Sequence, residues 1–451
     1  MRRTVLLAGG ALLAAAGLFM SSGAGPKRSA DKAAAKLPPM ASINGAPLDP
    51  PPAAADETQP SAEEVATFQQ LAQKSARKVL DANVALDLDK LKLEDGRYVA
   101  PTRDGRRAVL TLDPDLQELA EKLLNQSRAP RGAIVAMTPD GRILAFAGRR
   151  TEEPKGGTKG IFDYHLATDV WAPAASVFKL VTASALVANG YDPTQKVCYH
   201  GGVRSVMESN LADSKSDSNC ETLGYGVAHS NNAILGKLAY QNLDPKLLDR
   251  AARDLGWANV LPASLGVKAT CGELALPQEK DLDFAKAAAG FNGSRLSVLG
   301  GAVLAATFAD GGEQPVPTII ESIAGKPVTT AKPRRVVDKK VAKAVAEMMV
   351  GTCASGSAAK SFRRGRNVTV AGKTGTLATD KPFFMEHSWF VGFAPAEEPE
   401  IVVSVLLGNP ESWHIKGHEA AKRMIDRAMR RAGDRDDEAD ARPTRPAKRV
   451  K

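Results

Sequence analysis

Residues 132–148 read GAIVAMTPDGRILAFAG, two apolar runs of six residues separated by Thr138-Pro-Asp-Gly141. Pro presets φ, and Gly accepts the positive φ of a tight reversal, so the stretch predicts a β-hairpin. Three more strand-like runs follow near the other end, at 368–376, 389–393 and 401–407, with a final helix from about Glu419 to Arg431. Between these sets of strands the pattern is mostly helical. One helix is expected from about Pro173 to Asn189-Gly190, and residues 191–360 carry further helices with Gly/Asn loops. Helices held between N- and C-terminal strands predict an α+β fold, a mostly antiparallel sheet flanked by helices in which the hairpin and the C-terminal strands meet.

Working outward, Asp113-Pro114 is an N-cap followed by a first-turn proline, with Leu116, Leu119, Leu123 and Leu124 on one stripe and a strand at 108–112 ahead of it. Ser61-Ala-Glu-Glu64 is a capping-box signature for an earlier helix. These elements give a small N-terminal accessory region at 61–129, before a main domain at 130–431. Residues 25–60 are rich in Ala and Pro and are expected to be an extended tether. Residues 432–451 alternate charge with Pro and are expected to be disordered.

Arg2 and Arg3 precede an apolar run at 5–20 and the small residues Ser21, Ser22, Gly23 and Ala24, the order of an export signal. Sixteen residues at 1.5 Å span roughly 24 Å, short of a ~30 Å hydrocarbon core. Cleavage after Ala24 gives a soluble exported protein; retention of residues 1–24 gives an N-terminal membrane anchor. Both predict an extracytoplasmic, periplasm-type location. The chain has 451 residues, 43% hydrophobic and 25% charged, which excludes wholesale disorder. Its net charge of +9 is modest and partly terminal, which favours contact with an anionic membrane surface over nucleic acid.

Four cysteines, Cys198, Cys220, Cys271 and Cys353, show no C-x-x-C spacing. In an oxidising compartment Cys198 and Cys220 are a candidate disulfide, with buried free thiols as the alternative. Gly372-Lys373-Thr374 lacks the upstream glycine of a P-loop, His418-Glu419 does not extend to H-E-x-x-H, and no G-x-S-x-G is present. The six histidines have no metal spacing, so neither a metal nor a cofactor is expected.

A trio in fixed order remains: Ser176-Val-Phe-Lys179, Ser230-Asn-Asn232 and Lys373-Thr-Gly375. A serine hydroxyl needs a base within hydrogen-bond reach to become a nucleophile. On one helix face, Lys179 can take the Ser176 proton if its pKa is lowered. Lys373 can depress that pKa and hold a substrate carboxylate. Ser230 can relay a proton, the Asn232 amide can bind a peptide, and Gly375 allows substrate backbone to approach the strand. The spacing S-x-x-K alone is unspecific, since it recurs at Ser29, Ser75 and Ser357, but only Ser176 sits in an apolar run.

With Thr376, these motifs resemble those of penicillin-binding protein transpeptidase domains and serine β-lactamases, over about residues 130–430. The resemblance implies Ser176 as the acyl-accepting nucleophile and Lys179 as its base. It implies Ser230 and Asn232 at the second motif, Lys373, Thr374, Gly375 and Thr376 on a substrate-binding edge strand, and an oxyanion hole from the backbone N–H groups of Ser176 and Thr376. Peptidoglycan stem peptides are the implied substrates, β-lactams the implied inhibitors, and a glycosyltransferase the implied partner. Residue 175 is Ala where this family usually has Gly. Too few residues precede 130 for a glycosyltransferase domain, which leaves a class B-like enzyme with a short N-terminal region.

The expected function is D,D-transpeptidation of stem peptides. If water resolves the acyl-enzyme, the same residues make a D,D-carboxypeptidase. A serine β-lactamase needs a dedicated water activator, and no E-x-x-x-N lies between the second and third motifs. A non-catalytic scaffold or β-lactam sensor is the alternative of another class.

Overall fold

In the computed structural model, the described residues are 85–440 apart from 152, 262–264 and 364–367. The leader, the tether and the helix expected at Ser61 lie outside them. So does 441–451 of the expected tail.

The 132–148 hairpin forms as expected, Arg131–Met137 against Ile143–Arg150. It lies in a six-stranded antiparallel sheet whose order runs from the edge strand Ala371–Thr379 through Met385–Ala394, Ile401–Asn409, Arg131–Met137 and Ile143–Arg150 to Ile161–Phe162. The two ends of the domain meet in register, with Val405 opposite Ile134 and Leu407 opposite Gly132. Both faces of this sheet are covered. On one, Leu116, Leu123 and Leu124 of helix Pro114–Ser127 and Met424 and Ile425 of the last helix pack on Ile134, Val403 and Val405. On the other, Phe178, Val181, Leu299 and Val303 pack on Val135, Val391 and Leu406. Burial on two sides explains why these strands are continuous apolar runs without alternation.

Helix Pro114–Ser127 starts as predicted, the Asp113 carboxylate accepting from the N–H groups of Asp115 and Leu116. The described residues ahead of 130 pair with later parts of the chain. Strand Arg107–Leu110 pairs with Ile320–Ile323 in a second, five-stranded sheet.

Two expectations need correction. The helix drawn from Pro173 begins later. Ala172–Pro173 is a short strand paired with Arg295 and Leu296, Ala175–Phe178 is a 3-10 turn, and the α-helix proper is Lys179–Ala188. The cause is a tertiary partner about 120 residues away, held next to Pro173 by the Ala174 N–H, which donates to the Ser294 carbonyl at 3.0 Å. The last helix runs Gly417–Asp440, past Arg431 and into the stretch expected to be disordered. No proline interrupts the chain there until Pro443.

Strands Lys196–Tyr199 and Asn219–Thr222 form a hairpin with Cys198 opposite Cys220, and the two are disulfide-bonded, while Cys271 and Cys353 are buried free thiols. The fully buried Lys237 braces this hairpin. Its ammonium donates to the Cys198 carbonyl at 2.8 Å, to the Asp217 carboxylate, whose side chain is 5% exposed, at 2.7 Å and to the exposed Asp213 carboxylate at 2.9 Å, and Asp217 in turn meets His200 Nδ1 at 2.6 Å. Removing one member of a buried ion pair leaves the other charge without compensation. Lys237→Met is therefore expected to lose about 3–5 kcal/mol in denaturant unfolding, whereas Lys237→Met with Asp217→Asn should recover part of that loss. A single-variant loss under about 1 kcal/mol would show that the pair carries no such load.

Candidate active site

Three chain segments converge on Ser176. The strand Ala172–Pro173 delivers the chain to Ala175, which takes φ +49°, a left-handed conformation costing a residue with a Cβ roughly 1–2 kcal/mol. This is the position where the resemblance expects glycine. The turn is gripped from both sides. A Cβ on Gly290 would lie 2.1 Å from the Ala175 carbonyl oxygen, and one on Gly375 would lie 3.3 Å from both the Ala174 oxygen and the Ala175 Cβ. The backbone of the third motif therefore touches the residue before Ser176. Ser176 and Thr376, whose N–H groups are the expected oxyanion donors, each follow one of the two touching residues, Ala175 and Gly375. The Trp389 indole N–H, donating to the Pro173 carbonyl at 2.8 Å, ties the sheet to the same segment.

Ser176 is the second residue of the 3-10 turn and Lys179 follows it by three residues, the spacing at which side chains of such a turn eclipse. Lys179 Nζ lies 2.8 Å from Ser176 Oγ, and it donates to Asn232 Oδ1 at 2.7 Å and to the Ala289 carbonyl at 2.5 Å. The side chain is fully buried. Burial, with the charge of Lys373 as a second cause, holds its pKa well below the usual lysine range. A neutral amine has two N–H donors and one lone pair. The Asn232 and Ala289 oxygens can only accept, so they take the two N–H groups. The lone pair is left facing Ser176, the one partner with a proton to give.

Asn232 reaches Lys179 because its neighbour begins the helix. Asn231 is the N-cap of helix Asn232–Asn242, its Oδ1 accepting from the Ile234 N–H at 3.1 Å. Ser230, just before, has φ +56°. Its hydroxyl accepts from Lys373 Nζ at 3.1 Å, and the same nitrogen donates to the Thr374 carbonyl at 2.8 Å. Lys373 is fully buried too, and desolvation pushes its pKa down to about 7. The site therefore contains two linked pairs, Ser176 with Lys179 and Ser230 with Lys373. Thr374 is half-buried and Thr376 exposed along the edge strand.

All eight expected catalytic and substrate-binding residues belong to this cluster. The Cys198–Cys220 hairpin does not, although it leads directly into helix Leu223–Ala228 and the second motif. A cavity of about 740 Å³ lies beside that hairpin, lined by Asn189, Asp192, Asp217 and Gln241 and by none of the eight. The Ala289 carbonyl, the Trp389 tether and a Ser357 hydroxyl 2.6 Å from Thr374 Oγ1 were not anticipated. A backbone acceptor has no residue signature. Ser357 had one, the repeated S-x-x-K spacing, which pointed to a different role.

The family model described as the penicillin binding protein transpeptidase domain matches residues 132–430. Stage V sporulation protein D of Bacillus subtilis (strain 168) is 27% identical over 355 residues, 73% of this chain and 54% of that protein. Peptidoglycan D,D-transpeptidase PbpA of Mycobacterium tuberculosis is 26% identical over 334 residues, 66% of each. The chain thus spans between about half and two thirds of the length of these curated relatives. Penicillin-binding protein A of M. tuberculosis, solved as its imipenem acyl-enzyme, shares the fold with a TM-score of 0.59 at 22% identity, covering 72% of this chain and 80% of that one.

The electrostatic coupling of the two lysines sets an expected pH response. Ser176 acylation by a neutral activated ester such as p-nitrophenyl acetate, read by mass spectrometry of the Ser176 peptide, should rise as pH rises, because Lys179 must lose its proton to act. Lys373→Met removes the positive charge that lowers the Lys179 pKa, so the midpoint should move to higher pH. A midpoint that stays or falls would contradict the coupling.

Proposed function

The chain belongs to the penicillin-binding protein transpeptidase family, and on that premise we propose that it is a peptidoglycan D,D-transpeptidase that cross-links stem peptides through a Ser176 acyl-enzyme. The observation that carries this is the buried Lys179 amine 2.8 Å from Ser176 Oγ, with its other two contacts on proton acceptors.

Ser176 Oγ attacks the carbonyl carbon of the D-Ala-D-Ala peptide bond while its proton passes to Lys179. The tetrahedral oxyanion is held by the N–H groups of Ser176 and Thr376. As the C–N bond breaks, the leaving D-Ala nitrogen takes a proton through Ser230, which Lys373 can recharge at 3.1 Å. The amine of a second stem peptide then attacks the Ser176 ester; Lys179 returns its proton to Ser176 Oγ as the ester C–O bond breaks, and the surplus proton of the amine passes through Ser230 back to Lys373. Lys373, charged below about pH 7, recognises the terminal carboxylate. The amide of Asn232, its oxygen engaged by Lys179 and its NH2 left to donate, lines the same cleft.

Hydrolytic alternatives differ only in the group that resolves the ester. Lys179 and Lys373 are bonded to hydroxyl, amide and carbonyl groups, a set without a carboxylate. Glu273, an acidic residue between the second and third motifs, is followed by Leu-Ala-Leu-Pro277 and accepts from Arg295 at 2.9 Å. This disfavours a β-lactamase. The intact nucleophile–base geometry disfavours a silent scaffold or sensor. The proposal extends to an extracytoplasmic location, with membrane attachment through the N-terminus and a glycosyltransferase partner. A disulfide at Cys198–Cys220 fits that oxidising setting.

Penicillin should form a covalent adduct on the Ser176 peptide that is absent from Ser176→Ala; an adduct surviving that change would remove Ser176 as nucleophile. Lys179→Ala should slow acylation by roughly 10²- to 10⁴-fold, the usual worth of general-base help. The adduct's lifetime separates cross-linking from hydrolysis. With no water-activating carboxylate on Lys179, deacylation should take many minutes, a barrier of roughly 21–22 kcal/mol or more. Turnover near one per second, a barrier of about 17 kcal/mol, would reassign the protein as a β-lactamase.

A further inference from the structure

The spare S-x-x-K copy, Ser357-Ala-Ala-Lys360, lies at the rim of the site. Helix Lys339–Ala354 ends at Ser355, and the chain turns through Gly356 and Ser357 into the short helix Ala359–Phe362. This turn is seated on the second-motif segment. The Ser357 N–H donates to the Ala228 carbonyl at 3.0 Å, two residues before Ser230. A Cβ on Gly356 would lie 2.1 Å from that same oxygen, so the seat is tight. From it the exposed Ser357 hydroxyl reaches 2.6 Å from Thr374 Oγ1, the middle residue of Lys373-Thr-Gly375. Lys360 is exposed, unlike the fully buried Lys179, so this copy of the spacing does not assemble a second nucleophile.

We infer that Ser357 is a positioning residue for substrate carboxylate, orienting the Thr374 hydroxyl at the third motif; the inference rests on the transpeptidase reading of the site. Thr374 stands between Lys373, whose ammonium reaches Ser230, and Gly375, which abuts the turn before Ser176. A hydroxyl has one proton to donate. If Thr374 spends it on Ser357, none is left for a ligand. When Ser357 donates to Thr374, the Thr374 proton is free for a carboxylate oxygen, and a hydrogen bond to an anion is the stronger kind. Donation into Thr374 also polarises it in the right sense. Ser357 thus joins the second motif, through its backbone, to the third, through its side chain.

The test uses the full chain and two probes of Ser176: benzylpenicillin, which carries a free carboxylate, and p-nitrophenyl acetate, which carries none. Ser357→Ala keeps the backbone bond to Ala228. It should lower the second-order acylation rate with penicillin by roughly 3- to 10-fold, the scale of one hydrogen bond, with the loss in the half-saturating concentration and not in the limiting rate. The neutral ester should be unaffected, and Ser357→Thr, which retains the hydroxyl, should restore the penicillin rate. Equal losses for both probes would mean a structural role and overturn the inference, as would no loss with penicillin. If the unaltered protein gives no Ser176 adduct with penicillin at all, the transpeptidase reading itself fails and the inference fails with it.

Discussion

Burying Lys179 strips away the water that would keep its ammonium charged, and the fold must then supply other partners for that nitrogen. It does so from three distant parts of the chain. The turn at 175–178 brings Ser176, the capped start of helix Asn232–Asn242 brings Asn232, and the residue that ends helix Leu282–Ala288 brings the Ala289 carbonyl. Thr182, one turn beyond Lys179, donates to the neighbouring Ala288 carbonyl at 2.7 Å and so fixes the same strip of backbone against the lysine helix. The surrounding core is what makes the burial possible: Val177, Phe178, Leu180 and Val181 are all inaccessible to solvent.

Convergence of this kind carries a backbone cost, and that cost sits where the chemistry is. Ala175 and Ser230, the residue before the proposed nucleophile and the proposed proton relay, both adopt left-handed φ values without being glycine. Each conformation turns the chain sharply at the start of a helical segment. The strain at Ala175 persists because Gly290 and Gly375 have no side chains and can close on it from either side. A methyl group on Gly290 would collide with the Ala175 carbonyl, and one on Gly375 would push its neighbours at the turn apart by a few tenths of an ångström.

The sheet was legible because its central strands are buried on both faces and therefore read as unbroken apolar runs, and because Asp113-Pro114 and Thr138-Pro-Asp-Gly141 are local signals that tertiary structure did not override. The onset of the nucleophile's helix was misread for the opposite reason. A proline ahead of an apolar run resembles a first-turn proline, and nothing near it reveals that Arg295 and Leu296 pair with the strand Ala172–Pro173. The eight motif residues could be named in advance because their residue types recur in a recognisable order and spacing. The Ala289 carbonyl could not, since every residue has one. Ser357 was visible as a pattern, but its contact with Thr374 depends on how a helix end seats on Ala228.

The two lysines also suggest why a site of this design can wait for its substrate. Desolvation brings the Lys373 pKa down to about 7, and the charge it carries lowers that of Lys179 further. On the proposed reading, a carboxylate arriving at Lys373 pairs with that charge, keeping Lys373 protonated while cancelling much of its field at Lys179. The Lys179 amine then becomes more basic at the moment it must accept the Ser176 proton. A ligand without the carboxylate would leave the base weak, so recognition of the terminal group and activation of the proposed nucleophile become one electrostatic event, transmitted through the field of Lys373 at Lys179.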